Sequence, residues 1–186
     1  MEKEFLNQVA VTIIDGIEPA PADFVISTFS LKRALEFVSE GLGYQRAGNT
    51  AKAAEAYQRS IAILPTAEAY CFLGWAESAR GKLDLAIRYC RKAIEIDPEF
   101  GNAYNDIGSY HVRKGKWNEA VEWFEKAKLA TRYDSPQYPY LNLGRLYSAQ
   151  GSLFLALKEF KEARRLAPED QSIPESIEKL QAELSC

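Results

Sequence analysis

The residue types that carry nucleophilic, acid–base or metal chemistry are few in this chain and follow no catalytic pattern. The 186 residues include one histidine, His111, and three cysteines, Cys71, Cys90 and Cys186, none in C-x-x-C spacing. No motif places a serine or cysteine nucleophile and a carboxylate around His111. The sequence contains no phosphate-cradling loop and no paired-carboxylate motif. We therefore predict a protein that is not an enzyme and has no metal or cofactor, with His111 as a packed ring.

Charge and composition exclude further classes of function. The net charge of −3 and the pI near 5.4 argue against nucleic-acid binding, and we interpret the short basic runs at 88–92 and 113–116 as solvated helix faces. Three scattered thiols suit a reducing compartment. The amino terminus is too acidic for a signal peptide, and no stretch approaches the roughly 20 apolar residues of a membrane span. The prediction is a cytoplasmic protein without a transmembrane segment.

The elements that position the side chains follow from a repeat. Four segments carry the same residue types at intervals of 33, 34 and 36 positions, in three columns. The first column is Gly41, Gly74, Gly108 and Gly144; the second is Gly48, Gly81, Gly115 and Gly151; the third is Ala53, Ala86, Ala120 and Ala156. Repeats of this length are typical of helical solenoids, which usually serve as binding surfaces.

Each repeat reads as a helix, a short turn and a second helix. The second-column glycine, Gly151 in the last repeat, suits the left-handed cap that ends a helix. A glycine inside a helix costs roughly 1 kcal/mol relative to alanine. We therefore expect the two helices to cross closely at the first-column glycine, with that glycine facing the third-column alanine. A fourth column of larger residues fills the remaining seam, with Tyr57, Phe124 and Phe160 and with Cys90 in the second repeat.

Prolines mark the ends of the repeats, because proline disfavours helix in the residue before it. Pro65, Pro98 and Pro168 share one offset, whereas Arg132 takes the place of proline in the third repeat. The interval to the next repeat lengthens to 36 residues there, which predicts a longer turn around Tyr133 to Gln137.

The two ends of the chain carry further apolar stripes. The run from Ser172 to Glu175 reads as a capping box that begins one more helix, whose stripe covers the last exposed repeat face. That stripe comprises Ile173, Ile177, Leu180 and Leu184. The stripe of the first thirty residues comprises Phe5, Leu6, Val9, Ile13 and Ile17. We interpret this N-terminal extension as a cap on the first repeat, with a dimerisation arm as the alternative; the lack of flanking Lys and Arg disfavours a membrane surface.

The columns match the tetratricopeptide repeat pattern, W-x2-L-G-x2-Y, then A-x3-F, then P. The fourth repeat carries it in Tyr140, Leu143, Gly144, Tyr147, Ala156, Phe160 and Pro168. The chain therefore resembles the tetratricopeptide repeat family, which implies an all-α fold, a right-handed α-solenoid of four helix-turn-helix repeats. The implied organisation is an N-terminal extension at 1–30, repeats at 31–66, 67–100, 101–136 and 137–170, and a C-terminal capping helix at 171–186.

The resemblance also implies where a partner binds, since members of the family line a concave groove with the first helix of each repeat. Offsets from the glycine column give ten groove positions: Arg46, Trp75, Asn102, Asn105, Asp106, Ser109, Arg113, Tyr138, Asn142 and Arg145. In related repeats an asparagine at the place of Asn142 grips a peptide backbone, because a carboxamide both donates and accepts hydrogen bonds. Asp106 occupies that place one repeat earlier.

Four of these side chains suggest the chemistry of the partner. Arg113 and Arg145 are expected to hold a carboxylate or an acidic side chain. Trp75 and Tyr138 are expected to provide apolar contact.

We therefore predict a non-catalytic interaction module, an adaptor, assembly factor or chaperone that grips a short extended peptide segment of another protein. The family's clamp for acidic chaperone tails is absent, because Val38 and Leu42 occupy its lysine and asparagine places and Asp106 stands where an arginine is required. The alternative is a self-assembling scaffold, a homo-oligomer organised through the N-terminal segment or the repeat faces. The runs 133–136 and 140–144 are similar to a stretch in pilus-assembly members of the family. In its small size, acidity and apolar N-terminal arm, the chain also resembles the family's chaperones of bacterial secretion systems.

Overall fold

The structure, a computed structural model, describes residues 28–185. These residues form α-helices joined by turns and short connections. The helices are α1 (Thr28–Arg46), α2 (Thr50–Ile63), α3 (Ala67–Ala79), α4 (Leu83–Ile96), α5 (Gly101–Arg113), α6 (Trp117–Leu129), α7 (Tyr138–Ala149), α8 (Leu153–Leu166) and α9 (Ser172–Leu184). The predicted all-α fold of helix-turn-helix repeats is confirmed. The apolar stripe of the N-terminal extension lies outside the described residues. Among the helices of residues 28–185, none is long and apolar enough to cross a bilayer.

The chain divides into two compact units, Met1–Tyr89 and Cys90–Cys186, with the boundary inside α4. In the first unit α1 packs against α2, and α2 packs against α3. In the second unit α5 packs against α6, and each helix from α6 to α8 packs against the next one along the chain. We call the second unit the C-terminal unit. The repeat boundaries assigned from the sequence stay a prediction.

The second-column glycines end the first helix of each repeat in the predicted conformation. Gly48, Gly81, Gly115 and Gly151 have φ angles of 73°, 81°, 70° and 73°. These angles lie in the left-handed region, which a side chain with a Cβ atom enters only at a cost. The prediction of left-handed helix caps is therefore confirmed. Each glycine is the middle residue of the three-residue turn between the two helices of its repeat.

Three of the first-column glycines, Gly41, Gly108 and Gly144, mark close helix crossings, but their partner is not the predicted one. A Cβ atom on Gly108 would lie 2.6 Å from the ring of Phe124, and one on Gly144 would lie 2.9 Å from the ring of Phe160. Gly41 meets Tyr57 in the same way. The expectation that the glycine faces the third-column alanine was wrong. The missing side chain makes room for the aromatic ring of the following helix, and the ring fills the seam from the opposite side.

The third repeat ends in the longer connection that the sequence predicts, between the end of α6 and the start of α7. This connection folds back onto the turn before α5. Arg132 forms an ion pair with Asp97, its backbone N–H donates to the Glu99 carbonyl at 3.0 Å, and its own carbonyl accepts from Gly101 N–H at 3.0 Å. Glu99 also accepts from the hydroxyl and the N–H of Thr131, at 2.7 and 3.0 Å. Arg132, which replaces the expected proline, thus ties the two turns together.

The C-terminal helix covers the last repeat, although it begins differently from the prediction. Ile173, Ile177 and Leu180 are buried in one apolar cluster with α7 and α8, as the stripe predicts. The capping box at Ser172 was wrong: Ser172 is already the first helical residue. Asp170 takes the capping role, because its carboxylate accepts from the N–H and the hydroxyl of Ser172 at 3.0 and 2.7 Å.

Candidate functional site

The clearest arrangement of candidate residues lies on α5 and α7 in the C-terminal unit. The Nδ2 atom of Asn142 donates to Oδ1 of Asn105 at 2.9 Å, which joins two positions assigned to the groove. Helical spacing of three and four residues places Asn102 and Ser109 on the same side of α5 as Asn105. All four side chains are partly buried, so they form a half-shielded polar face rather than a fully solvated surface.

The asparagine pair retains hydrogen-bonding capacity beyond its mutual bond. Each carboxamide has one carbonyl oxygen and two N–H donors, and the pair uses one donor and one acceptor. Within residues 28–185, the remaining N–H groups of Asn105 and the Oδ1 atom of Asn142 make no other side-chain hydrogen bond. Oδ1 of Asn102 is buried and unpaired there as well. The buried Asn102 oxygen is costly to leave unsatisfied. The donors and acceptor that remain on the asparagine pair match the N–H and C=O groups of an extended backbone.

The α7 side of this face also carries a cation and an aromatic ring. Arg145 lies three residues after Asn142 and is exposed, while Tyr138 lies four residues before it with 47% of its surface exposed. Spacing of three and four residues places them on one stripe of the helix. The stripe therefore presents an apolar ring, a carboxamide and a guanidinium in sequence along α7.

Two other candidates on α5 do not join this polar pair. The carboxylate of Asp106 lies within 4.8 Å of the Cys90 thiol, so it faces α4 rather than Asn142. Arg113 is exposed in the last turn of α5. The approach between Asp106 and Cys90 could not be predicted, because an offset along one helix does not specify which neighbouring helix a side chain meets.

Arg46 and Trp75 lie in the N-terminal unit. Arg46 is exposed at the end of α1. Burial raises the pKa of the Tyr57 phenol, and the positive charge of Arg46 opposes this shift in part. The Tyr57 hydroxyl donates to Gln45 at 2.8 Å. Trp75, on α3, has 36% of its surface exposed.

His111 is partly shielded from solvent, and Cys71 and Cys90 are shielded fully. The His111 ring is partly buried, and its Nδ1 atom has no hydrogen-bond partner in the described part of the chain. Burial lowers the pKa of His111; Glu119 opposes this shift, and the cationic groups of Lys116, Lys114 and Arg91 add to it. Cys71 and Cys90 are both buried. Charging the imidazole is thus unfavourable in the folded protein.

Comparison with known proteins finds similarity to one family of repeats. Two family models, each described as a tetratricopeptide repeat, match residues 67–100 and 101–132. The chain is 34% identical over 97 residues to the small glutamine-rich tetratricopeptide repeat-containing protein 2 of Mycosarcoma maydis. The match covers 52% of this chain and 28% of that protein. The chain thus spans less than a third of the length of this relative.

Solved structures share the fold. PilF of Pseudomonas aeruginosa matches with a TM-score of 0.77 at 22% identity, over 85% of this chain and 72% of that one; at this identity the likeness shows the fold alone. The second tetratricopeptide repeat domain of Spaghetti (RPAP3), solved with the HSP90 peptide SRMEEVD, matches with a TM-score of 0.50 at 28% identity, over 53% of this chain and 92% of that one.

Proposed function

The chain is a tetratricopeptide repeat protein, and from this premise we propose that it grips a short extended segment of another protein on the face formed by α5 and α7. The observation that carries the proposal is the hydrogen bond between Asn142 and Asn105, at 2.9 Å. The bond holds two partly buried carboxamides side by side, and the pair keeps further donors and an acceptor beyond this bond. An extended peptide offers the complementary carbonyl and N–H groups.

The side chains beside the pair suggest the composition of the segment. Arg145 provides an exposed guanidinium that favours a carboxylate, through charge-assisted and bidentate hydrogen bonds. Tyr138 offers half of its surface for an apolar residue at the other end of the stripe. We propose a segment with an apolar residue near Tyr138 and an acidic side chain, or a chain-terminal carboxylate, near Arg145.

The peptide-bound relative supports the ligand class but not the same peptide. The peptide in that structure, SRMEEVD from HSP90, has three acidic residues. In this chain the clamp places in the first repeat carry Val38, which is 5% exposed, and the apolar Leu42. Neither side chain donates a hydrogen bond to a carboxylate. We therefore propose a peptide other than an acidic chaperone tail.

The test is selection of binding peptides from a random displayed library, followed by titration against variants. Asn142→Ala and Arg145→Ala are each expected to weaken binding about tenfold, since one hydrogen bond, or one bond to a charged group, is worth about 1 to 2 kcal/mol. Gln150→Ala is the matched control, because this carboxamide is exposed just beyond the end of α7. Unchanged affinity in the first two variants would place the peptide elsewhere, and the absence of any selected peptide would refute the function.

A further inference from the structure

The first turns of α6 and α8 lie side by side at one edge of the C-terminal unit. Lys128 of α6 donates to Glu159 of α8 at 2.8 Å, so the two helices are neighbours. Each is the second helix of its repeat, and two reversals of the chain separate them, so they run in the same direction. Their N-terminal ends are therefore adjacent.

Three large apolar side chains are exposed at these ends. Trp117 begins α6, and Phe154 and Leu155 follow the first residue of α8. Their exposed fractions are 39%, 78% and 48%, and a group of exposed apolar residues indicates an interaction site. In the third repeat, at an offset of 36, the polar Asn118 and Glu119 stand in the places of Phe154 and Leu155. The repeat fold therefore does not require apolar residues there.

Helix spacing brings the three side chains together in one patch, which we call the apolar edge: Trp117, Phe154 and Leu155. Leu155 lies four residues before Glu159, on the side of α8 that faces α6. Trp117 corresponds to Leu153 at the offset of 36, and Leu153 packs against the cluster that contains the next helix, α9. By this equivalence Trp117 faces the next repeat, which contains α8. Trp117 and Leu155 thus face each other, with Phe154 beside them on the outward side.

Two cations follow the apolar edge along the outward face of α8. Lys158 and Lys161 lie four and seven residues after Phe154, on the same helix face, and both are exposed. Within residues 28–185, neither lysine makes an ion pair or a hydrogen bond to another side chain. At 1.5 Å per residue, they lie roughly 6 and 10 Å beyond Phe154 along the helix axis.

We propose that the apolar edge docks on an anionic lipid bilayer, with its side chains in the apolar boundary and Lys158 and Lys161 among the headgroups. Apolar faces that bind a membrane surface reach roughly 5 to 10 Å into the boundary between headgroups and acyl chains, which matches the axial distance from Phe154 to the lysines. Tryptophan favours this boundary because its ring is amphipathic. Each cation near a negatively charged leaflet strengthens the attachment. The peptide face of α5 and α7 includes none of these residues.

The shape of the apolar edge favours a bilayer over a folded protein partner. Phe154 projects from the end of α8 with little protein around it. A protein partner must offer a pocket shaped to such a ring, whereas lipid chains adapt to it. Two carboxylates lie nearby on α6: Glu119 is paired with Lys116 at 3.6 Å, and Glu122 is exposed at the place that corresponds to Lys158. Removal of the Glu122 charge is therefore expected to strengthen docking.

The test is the partition of the whole chain onto vesicles, measured by co-sedimentation at low salt. The vesicles contain phosphatidylcholine and phosphatidylglycerol in equal parts, or phosphatidylcholine alone. We expect binding to the mixed vesicles only, and weaker binding as salt is added. Lys158→Glu and Lys161→Glu should each lower the partition coefficient about tenfold, since an attraction becomes a repulsion. Phe154→Ser should lower it by a similar factor without a change of charge.

Further variants assign the contact to the apolar edge. Glu122→Gln should raise the partition coefficient about fivefold. Lys179→Glu is the matched control for charge, because Lys179 is exposed on α9, away from the stripe that packs against α8, and it should leave binding nearly unchanged. Brominated lipids should quench the wild-type tryptophan emission, and Trp117→Phe should remove this quenching although Trp75 and Trp123 remain. Circular dichroism equal to that of the wild type shows that each variant is folded.

Three results would overturn the proposal. The first is a wild-type chain that does not bind the mixed vesicles. The second is equal binding to phosphatidylcholine alone, which would exclude the contact between lysines and headgroups. The third is binding that Phe154→Ser and Lys158→Glu leave unchanged, which would place the membrane contact elsewhere in the chain. A chain that ignores vesicles but binds an acidic helical peptide from a displayed library, with loss in Phe154→Ser, would assign the edge to a protein partner and likewise reject the bilayer.

Discussion

The helices α6 and α8 are alike where they face the interior of the C-terminal unit and opposite where they face solvent. Inward, Ala120 and Ala156 are fully buried, and the rings of Phe124 and Phe160 fill the space left by Gly108 and Gly144. Outward, α6 presents two glutamates and a leucine, whereas α8 presents a phenylalanine, two lysines and an arginine. Close packing restricts which residues fit at the inward positions, whereas the outward positions can carry different residues.

In a repeat protein, positions that depart from their column indicate where function lies. Inward residues recur because the same two helices cross closely in each repeat. A residue that departs from its column on the outside is therefore not explained by the fold. The Asn105–Asn142 pair is a departure of this kind, and it marks the surface to which we assign binding.

The largest expected effect comes from a substitution at Gly108, where the inward residues of the repeats are alike. Gly108→Leu places a branched side chain where a Cβ alone would lie 2.6 Å from Phe124, so the helices must separate. We expect a loss of about 3 kcal/mol in the free energy of unfolding, measured by urea denaturation. Gly43→Ala is the control, because a Cβ there meets no atom within 4 Å. It should raise stability by up to about 1 kcal/mol. A Gly108→Leu protein as stable as wild type would contradict the close crossing.

A second prediction concerns Lys128, which is nearly buried where its counterpart Arg164 is exposed. Burial by itself lowers the Lys128 pKa, but hydrogen bonds to Glu159 and Glu125 outweigh it and raise the pKa above its ordinary value. Lys128→Met removes the cation and leaves the Glu159 carboxylate enclosed, with only 11% of that side chain exposed. We expect a loss of about 2 kcal/mol in the free energy of unfolding.

Arg164→Met is the control for this prediction, since it removes a cation from the same repeat position in solvent. Its effect should stay within about 0.5 kcal/mol. Equal losses in the two variants would mean that the ion pair between α6 and α8 adds nothing beyond an exposed charge.

The columns could be predicted from the sequence because each column recurs four times. The predictions that were wrong concern contacts, which depend on distances between helices. Offsets establish that Gly108 and Gly144 are equivalent, but not that each faces the aromatic ring rather than the alanine. The capping error has a similar origin: Asp170 and Ser172 are both good capping residues two positions apart. The hydrogen bond between Asn105 and Asn142 depends on the separation of α5 and α7, which periodicity does not encode.

A third prediction uses His111, whose counterpart in the next repeat is Tyr147. Burial, the largest influence, lowers the His111 pKa in the folded state, so the unfolded chain binds the proton more readily. Stability that is complete above the unfolded pKa of about 6.5 is then lost as the pH falls through the lower folded value. His111→Tyr should remove this part of the acid loss. Urea midpoints of both proteins at pH 8 and pH 5 measure it, and an equal acid loss in the two would contradict the enclosed ring.

The smallest expected effect comes from the outward faces of α6 and α8. Glu122→Lys and Lys161→Glu should each change the free energy of unfolding by no more than about 0.5 kcal/mol, because these exposed side chains support no buried contact. Urea midpoints of the two variants and the wild type measure the effect. A loss as large as that expected for Lys128→Met would mean that the outward charges belong to the fold rather than to the surface.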